Sequence, residues 1–302
     1  MKTGLLTVLQ YLRRTDAGQR APLRVLLRFV RLQLQRNLLK RDFHFSTCTG
    51  GRVRIAPAGD YSALTALSYL DLPDFEVNMF ALHLLRPGDV FFDVGANLGP
   101  WDLLLAPRGV VCHAFEPAPA TFAELESQFS LQESTVRGRL HAWNVALADG
   151  ERSTRFTTDQ ATANRLLADG EAYAGATVTV PVSSLDSKFG YLGPTIMKID
   201  VEGWFLPALR GAEQILSQPQ LRAIVMETFR FANGSDPDLR EAEALLAKHG
   251  FVPCSYDPVP RILKPLRSIH EGGQDTIYAR IEPTMNALLK SGAPVAYLGR
   301  NV

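Results

Sequence analysis

The segment Val90-Phe91-Phe92-Asp93-Val94-Gly95-Ala96-Asn97-Leu98-Gly99 constrains the fold of this chain more than any other. Its apolar run follows the Pro87-Gly88 break and reads as a buried strand. Gly95 and Gly99 then allow a tight turn that brings backbone amides to a ligand at the N-terminus of the next helix. The spacing is G-x-x-x-G, not the G-x-G-x-x-G of a dinucleotide loop, and Asp93 at the strand end would meet a pyrophosphate as a like charge.

Beyond this loop the sequence alternates between apolar runs and helical patterns. Strands are expected at 90–94, 110–115, 140–146, 178–182, 195–199 and 223–227. Helices are expected at 74–85, 100–105, 118–130, 204–217 and 237–249. A closing pair of strands at 251–256 and 275–281 has no helix between its members. This pattern predicts an α/β fold, a mostly parallel sheet covered on both faces with an antiparallel closing strand. The polar stretch 151–176 is expected to wall or cover an acceptor site.

Residues 1–60 carry twelve Lys or Arg against three Asp, whereas the whole chain has a formal net charge of +1. Within them Leu23, Leu26, Leu27, Val30, Leu34 and Leu38 recur at helical spacing beside Arg24, Arg28 and Arg31. Two readings stand: a helix packed on the domain with a solvated Arg face, or a peripheral contact with an anionic membrane. No aromatic or Gly-rich pattern accompanies the charge, so nucleic acid is not an expected partner. Val53-Arg54-Ile55 reads as a short strand. The expected organisation is a basic helical N-terminal extension at 1–60, the α/β domain at 61–282 and a C-terminal tail at 283–302.

Cys48, Cys112 and Cys254 form no CxxC pair, which excludes a disulfide framework or zinc site by spacing and fits a cytoplasmic setting. Leu5 to Leu9 is too short for a secretory core, and no stretch approaches the ~20 apolar residues of a membrane span. The Asn233-Gly234-Ser235 sequon then carries no meaning.

In an open α/β sheet, ligands sit beyond the C-terminal ends of the strands. Here those ends carry Asp93, Glu116, Asn144, Asp200 and Glu227. Asp93 favours a cationic ligand, and the ammonium and sulfonium of S-adenosylmethionine fit that demand. Glu116, on the second strand, can accept hydrogen bonds from both ribose hydroxyls. A nicotinamide-dependent sugar oxidoreductase on the same fold is the rival enzyme, but it lacks here both a pyrophosphate loop and a Tyr-x-x-x-Lys pair. A non-catalytic glycan- or membrane-binding module with a vestigial pocket is the other rival.

The motifs DVFFDVGANLG, AFEP, NVAL, SSLD, MKIDVEG with LRGAEQIL, and IVMET resemble the FkbM family of methyltransferases over residues 70 to 230. The resemblance implies a Rossmann-like class I methyltransferase fold, S-adenosylmethionine as methyl donor, and transfer to an oxygen of a small molecule, sugar or glycan. It implies Asp93, Gly95, Asn97 and Gly99 as cofactor-loop positions, Glu116 as the ribose ligand and Asn144 near the adenine. The chain departs from the family pattern at Pro100-Trp101-Asp102 and at Pro107-Arg108-Gly109, which shorten the first helix.

Methyl transfer to a hydroxyl needs an in-line approach and a group to take the acceptor's proton. Asp200 and Glu202 are the candidates for acceptor binding or general base, with Glu227 in support. An ion pair or a helix cap is the competing role for each, and Lys198 is an eligible partner. A divalent cation held by Asp200 and Glu227 is chemically sensible, but no ligand set is assigned to it. The histidines show no H-x-x-x-H pairing. His83 lies on the helix before the loop, and Trp101 and Trp204 flank the motif loops, where they can stack on a ligand or pack.

Overall fold

The computed structural model describes residues 12–228, 236–267 and 275–302; the sequon at 233–235 and His270 lie outside them. The chain opens with the helix Pro22–Gln33, a π-helical turn Leu34–Leu38 and a hairpin of β1 (Phe43–Ser46) and β2 (Arg52–Ile55). Helices Ser62–Leu70 and Phe75–Leu84 lead into β3 (Val90–Val94). There follow β4 (Val111–Phe115), β5 (Leu140–Trp143), β6 (Ala146–Leu147), β7 (Arg152–Thr157), β8 (Thr177–Ser183), β9 (Ile196–Ile199) and β10 (Ala223–Glu227). The chain closes with β11 (Val252–Asp257), β12 (Ile262–Pro265), β13 (Asp275–Ala279) and a small hairpin of β14 (Ala296–Tyr297) and β15 (Arg300–Asn301).

The main sheet has the order β12-β11-β13-β10-β9-β3-β4-β5. Strands β5, β4, β3, β9 and β10 run parallel, and β13 is inserted antiparallel between β10 and β11. This is the Rossmann-like arrangement expected above, extended by the edge strand β12. From β3 the chain steps to β4 on one side and later returns to β9 on the other. The crevice at the C-terminal ends of β3 and β9 is therefore the topological switch point, where ligands bind in such sheets.

Alternation along each strand sends successive side chains to opposite faces. Phe91, Cys112, Ala114 and Val225 enter one core layer, and Phe92, Phe115, Met197, Ile224 and Met226 enter the other. The first layer also holds Val25, Phe29, Leu32, Val53, Ile55, Met285, Leu289 and Tyr297. The core on that side thus runs without interruption across residue 60, and residues 283–302 fold into it as the helix Met285–Lys290 and the β14–β15 hairpin.

Three expectations need correction. Val178–Val182 forms a strand, but β8 belongs to a separate three-stranded sheet with β6 and β7, not to the main sheet. The expected helix 204–217 is two helices, Phe205–Arg210 and Glu213–Ser217, separated at Gly211-Ala212. The N-terminal helix packs on the domain with a different stripe from the one expected. Val25, Phe29 and Leu32 are buried, whereas Leu23, Leu27, Val30, Leu34 and Leu38 are exposed. Arg24 and Arg28 do not form a solvated face either, because both pair with the buried Asp71, at 3.4 and 2.6 Å.

All three cysteines are free. Among the described residues no helix is long and apolar enough to cross a membrane.

Candidate functional site

A cavity of about 270 Å³ opens at the switch point. Its floor is the loop after β3, one wall is the Glu116 turn after β4, and the other wall is the Asp200–Gly203 turn after β9. Phe156, Ala161, Thr162, Asn164 and Leu166 close it from the side, so the stretch 151–176 does line the site.

The loop has its shape for steric reasons. Gly95 has φ +84°, and a Cβ there would overlap the backbone carbonyl of Asp200. The two strand ends of the crevice touch at this point. Gly99 has φ +72°, and a Cβ there would stand 2.8 Å from Leu125 and 2.9 Å from Phe129 on the following helix. Asn97 accepts a left-handed backbone at φ +52°, and Glu202 does so at φ +49°. Non-glycine residues in that region are uncommon, and short or functional turns are where they persist.

Glu116 joins the two parts of the donor site. Its Oε2 accepts from the Asn97 amide at 3.0 Å and its Oε1 from the Ala118 amide at 2.9 Å. A carboxylate has about four lone-pair sites, so two remain for donors of a bound ligand. Burial drives the Glu116 pKa up to about 7, against the two backbone amides, which favour the charged form. Asn144 does not line the cavity; its Nδ2 donates to the carbonyls of Glu116 and Pro117 at 2.9 and 3.0 Å. It is a positioning residue for the Glu116 turn, and Val145 and Ala146 take the cavity wall beside it.

Asp93 is fully buried under the loop, away from the cavity surface. It stands 3.6 Å from Lys198 Nζ and faces Asp102, which is also fully buried. Beside Lys198 at Asp93 and a backbone N–H at Asp102, each carboxyl has the other as its neighbour. Two adjacent buried carboxyls share a proton. Burial first, and then the Asp93 charge, hold Asp102 well above the ordinary carboxylate range, and burial raises Asp93 as well. The departure at Pro100-Trp101-Asp102 thus places the partner of Asp93.

Lys198 is the buried cation of the site, 3.0 Å from Asp200 Oδ2. Burial alone would lower its pKa, but Asp200, Asp93 and Asp275 outweigh it and hold Lys198 above its ordinary value. Asp200, Glu202 and Glu227 converge, with one carboxylate oxygen from each within 4.8 Å of the others. Glu227 and Asp275 stand opposite each other in the β10–β13 register. Burial, then Asp74, pushes Asp275 up to about 8, so this acid is protonated at neutral pH. Asp74, just before the helix Phe75–Leu84, also lines the cavity, with solvent reaching it through the opening. Sequence reasoning did not find Asp74, Asp102 or Asp275.

Other expected positions settle differently. Trp101 and Trp204 both line the cavity. Trp101 is nearly buried and stacks on Phe91 at 5.8 Å, whereas Trp204 donates its indole N–H to the Leu166 carbonyl at 2.9 Å. His83 does not reach the site. It is enclosed at the opposite side of the helix, 2.6 Å from the Tyr256 hydroxyl, and burial lowers its pKa to about 4.

Among the described residues the cavity wall therefore carries six acids, Asp74, Glu116, Asp200, Glu202, Glu227 and Asp275, against the single cation Lys198. Even with Asp275 protonated and Glu116 partly so, the acids outnumber the cation, and such a field repels a pyrophosphate. The Methyltransferase FkbM domain model matches residues 93–253. The 31-O-demethyl-FK506 methyltransferase FkbM of Streptomyces tacrolimicus is 32% identical over 208 residues, 58% of this chain and 77% of that protein. Among solved structures, a TehB-like SAM-dependent methyltransferase from Corynebacterium glutamicum aligns at TM-score 0.38 and 10% identity, over 68% of this chain and 88% of that one. Precorrin-6y C5,15-methyltransferase from Geobacter metallireducens aligns at TM-score 0.36 and 13% identity, over 67% and 85%. With its strand order, its loop and its family match in agreement, this chain belongs to the FkbM methyltransferase family, S-adenosylmethionine-dependent enzymes of the Rossmann-like class I fold.

Proposed function

We propose that this enzyme methylates a hydroxyl oxygen of a sugar, glycan, glycolipid or other small molecule. The observation that carries the reading is the convergence of Asp200, Glu202 and Glu227 in the cavity, with one carboxylate oxygen from each within 4.8 Å of the others. A hydroxyl needs a base as it attacks, and Asp200, Glu202 and Glu227 are the carboxylates that can supply one. The relative named for 31-O-demethyl-FK506 supports an oxygen acceptor.

In this reading the Gly95–Gly99 loop and Glu116 hold S-adenosylmethionine, which supplies a methyl group on a sulfonium. Lys198 fixes Asp200 by their 3.0 Å ion pair, so Asp200 orients the acceptor while Glu202 or Glu227 takes its proton. The side wall at Phe156 and Leu166 excludes water.

Because Asp200, Glu202 and Glu227 stand close enough to share one cation, a divalent metal that lowers the acceptor hydroxyl's pKa is a second reading. Both readings are tested with methyl-labelled donor and a panel of sugars, glycolipids and polyketide alcohols, each with and without EDTA. Label on oxygen is the expected result, and label only on nitrogen or carbon overturns it. Loss of turnover in EDTA, restored by Mg²⁺, selects the metal reading.

A further inference from the structure

The helix Pro22–Gln33 presents two apolar stripes. One, with Val25, Phe29 and Leu32, seats it on the domain. Phe29 meets Tyr69 edge to face at 5.7 Å, and the Arg24 and Arg28 ion pairs to Asp71 pin the same side. The other stripe points outward. Leu23 is 74% exposed, Leu27 69% and Leu38 72%, with Val30 and Leu34 between them. At 1.5 Å per residue this ridge runs for roughly 20 Å. An ordered row of that length, held rigidly outward, is unusual for a surface in contact only with water.

The charge around the ridge selects what covers it. From Ala17 to Arg41 the chain has seven cations, Arg20, Arg24, Arg28, Arg31, Arg36, Lys40 and Arg41, and no acid. Arg31 is exposed beside the ridge, and Lys40 and Arg41 are exposed at its end. A second copy meeting this face about a two-fold axis would bring like charges together. An anionic lipid surface accepts the leucines among its acyl chains and the cations at its headgroups.

The face is also next to the active site. The helix rests on Ser62–Leu70, whose first turn supplies Ala63 to the cavity wall. Arg36 fixes the connection by bonding the Ala56 and Gly59 carbonyls at 2.9 and 2.6 Å.

We propose that the Leu23–Leu38 ridge, with Arg31, Lys40 and Arg41 at its edge, docks the enzyme on an anionic membrane surface. This is independent of which acceptor is methylated. The test uses full-length protein and sedimentation with phosphatidylcholine vesicles, with and without phosphatidylserine. Binding is expected only with phosphatidylserine, and it weakens with salt as the Debye length falls to about 10 Å at 0.1 M. The L23S/L27S/L34S variant alters only exposed side chains, and it should lose vesicle binding by on the order of tenfold or more. Its thermal shift with S-adenosylmethionine should stay that of the wild type, which shows that it folds. R31Q/K40Q/R41Q should lose the phosphatidylserine preference. Wild-type protein that ignores anionic vesicles at low salt overturns the proposal. So does a dimer in free solution that the leucine variant dissociates, since a second copy would then cover the ridge.

Discussion

The Asn97 amide donates to Glu116 Oε2 at 3.0 Å, so the residue that turns the donor loop also aims the carboxylate at the end of the next strand. Each depends on the other. With its pKa near 7, Glu116 is partly protonated in the free enzyme at neutral pH. If Glu116 receives the donor's ribose hydroxyls, they donate to its charged form and donor binding should expel that proton.

Donor affinity should therefore be flat above pH 7 and weaken by up to about tenfold per unit below it. The stability of the free protein moves the other way. A carboxyl raised in the folded state contributes stability that is full below its ordinary range and lost as pH rises to about 7. Glu116→Gln should weaken binding roughly 10- to 100-fold, since hydrogen bonds to a charged group are worth about 1.5–3 kcal/mol. It should also flatten the profile. Calorimetry from pH 5.5 to 8.5, on the order of the window set by this pKa, checks both, and a pH-dependent Glu116→Gln would assign the titration to another group.

Gly95 is where backbone crowding, not chemistry, fixes the residue. Its φ of +84° is strained for any side chain, and a Cβ would strike the Asp200 backbone. Gly88 has a similar φ of +91° with nothing within 4 Å of the same position. Gly88→Ala should thus cost only the conformational term, about 1–2 kcal/mol. Gly95→Ala adds overlap with main chain and should cost on the order of 3 kcal/mol or more, together with donor binding. Urea denaturation of the two variants gives the difference. Equal losses would mean that the crevice walls part easily.

What the sequence disclosed, and what it hid, follows from the range of the interactions. Asp93, Gly95, Gly99 and Glu116 lie on consecutive strand–turn–helix units, so local spacing alone carries their geometry. Asp74 and Asp275 are some two hundred positions apart in the chain and meet only because β13 inserts beside β10. No local pattern announces that. Strand β8 was legible as a strand, but alternation does not say which sheet a strand joins. The N-terminal helix was legible as a helix, yet it is apolar on two sides. Periodicity could not tell Val25, Phe29 and Leu32 from Leu23, Leu27 and Leu34; the buried Asp71 decides, by drawing Arg24 and Arg28 inward.

Asp102 gives a prediction with the opposite sign to most core substitutions. Its folded pKa is raised, chiefly by burial and then by Asp93. Stability from the protonated group is therefore complete below the ordinary carboxylate range and declines as pH rises towards the folded value. Asp102→Asn is nearly isosteric, keeps a donor for Asp93 and does not titrate. Relative to wild type it should gain up to about 1.4 kcal/mol per pH unit through that window. Denaturation at pH 5 and pH 8, spanning about three units, reads the slope. A stability difference that is the same at both pH values would show that Asp102 does not titrate in this window.

Lys198 is, among the described residues, the one cation lining the cavity beside its acids. Asp200 lies at 3.0 Å and Asp93 at 3.6 Å, and all three are wholly or partly withdrawn from water. Its own pKa is raised despite burial, so at neutral pH its contribution is fully present and would be lost only in strong alkali. Lys198→Met keeps the length of the stem and removes the charge. Breaking a buried pair by deleting one partner costs about 3–5 kcal/mol, since the remaining carboxylate is left uncompensated. The loss should depend on pH in the direction set by the acids. Asp93, raised by burial, can take up a proton near pH 5 and the variant approaches wild type, whereas at pH 8 it must stay charged or bind a proton against the solvent, and the gap opens. The acceptor should also dock poorly, because Asp200 is no longer held. A gap in urea midpoint that is the same at both pH values would mean that Lys198 acts by packing alone.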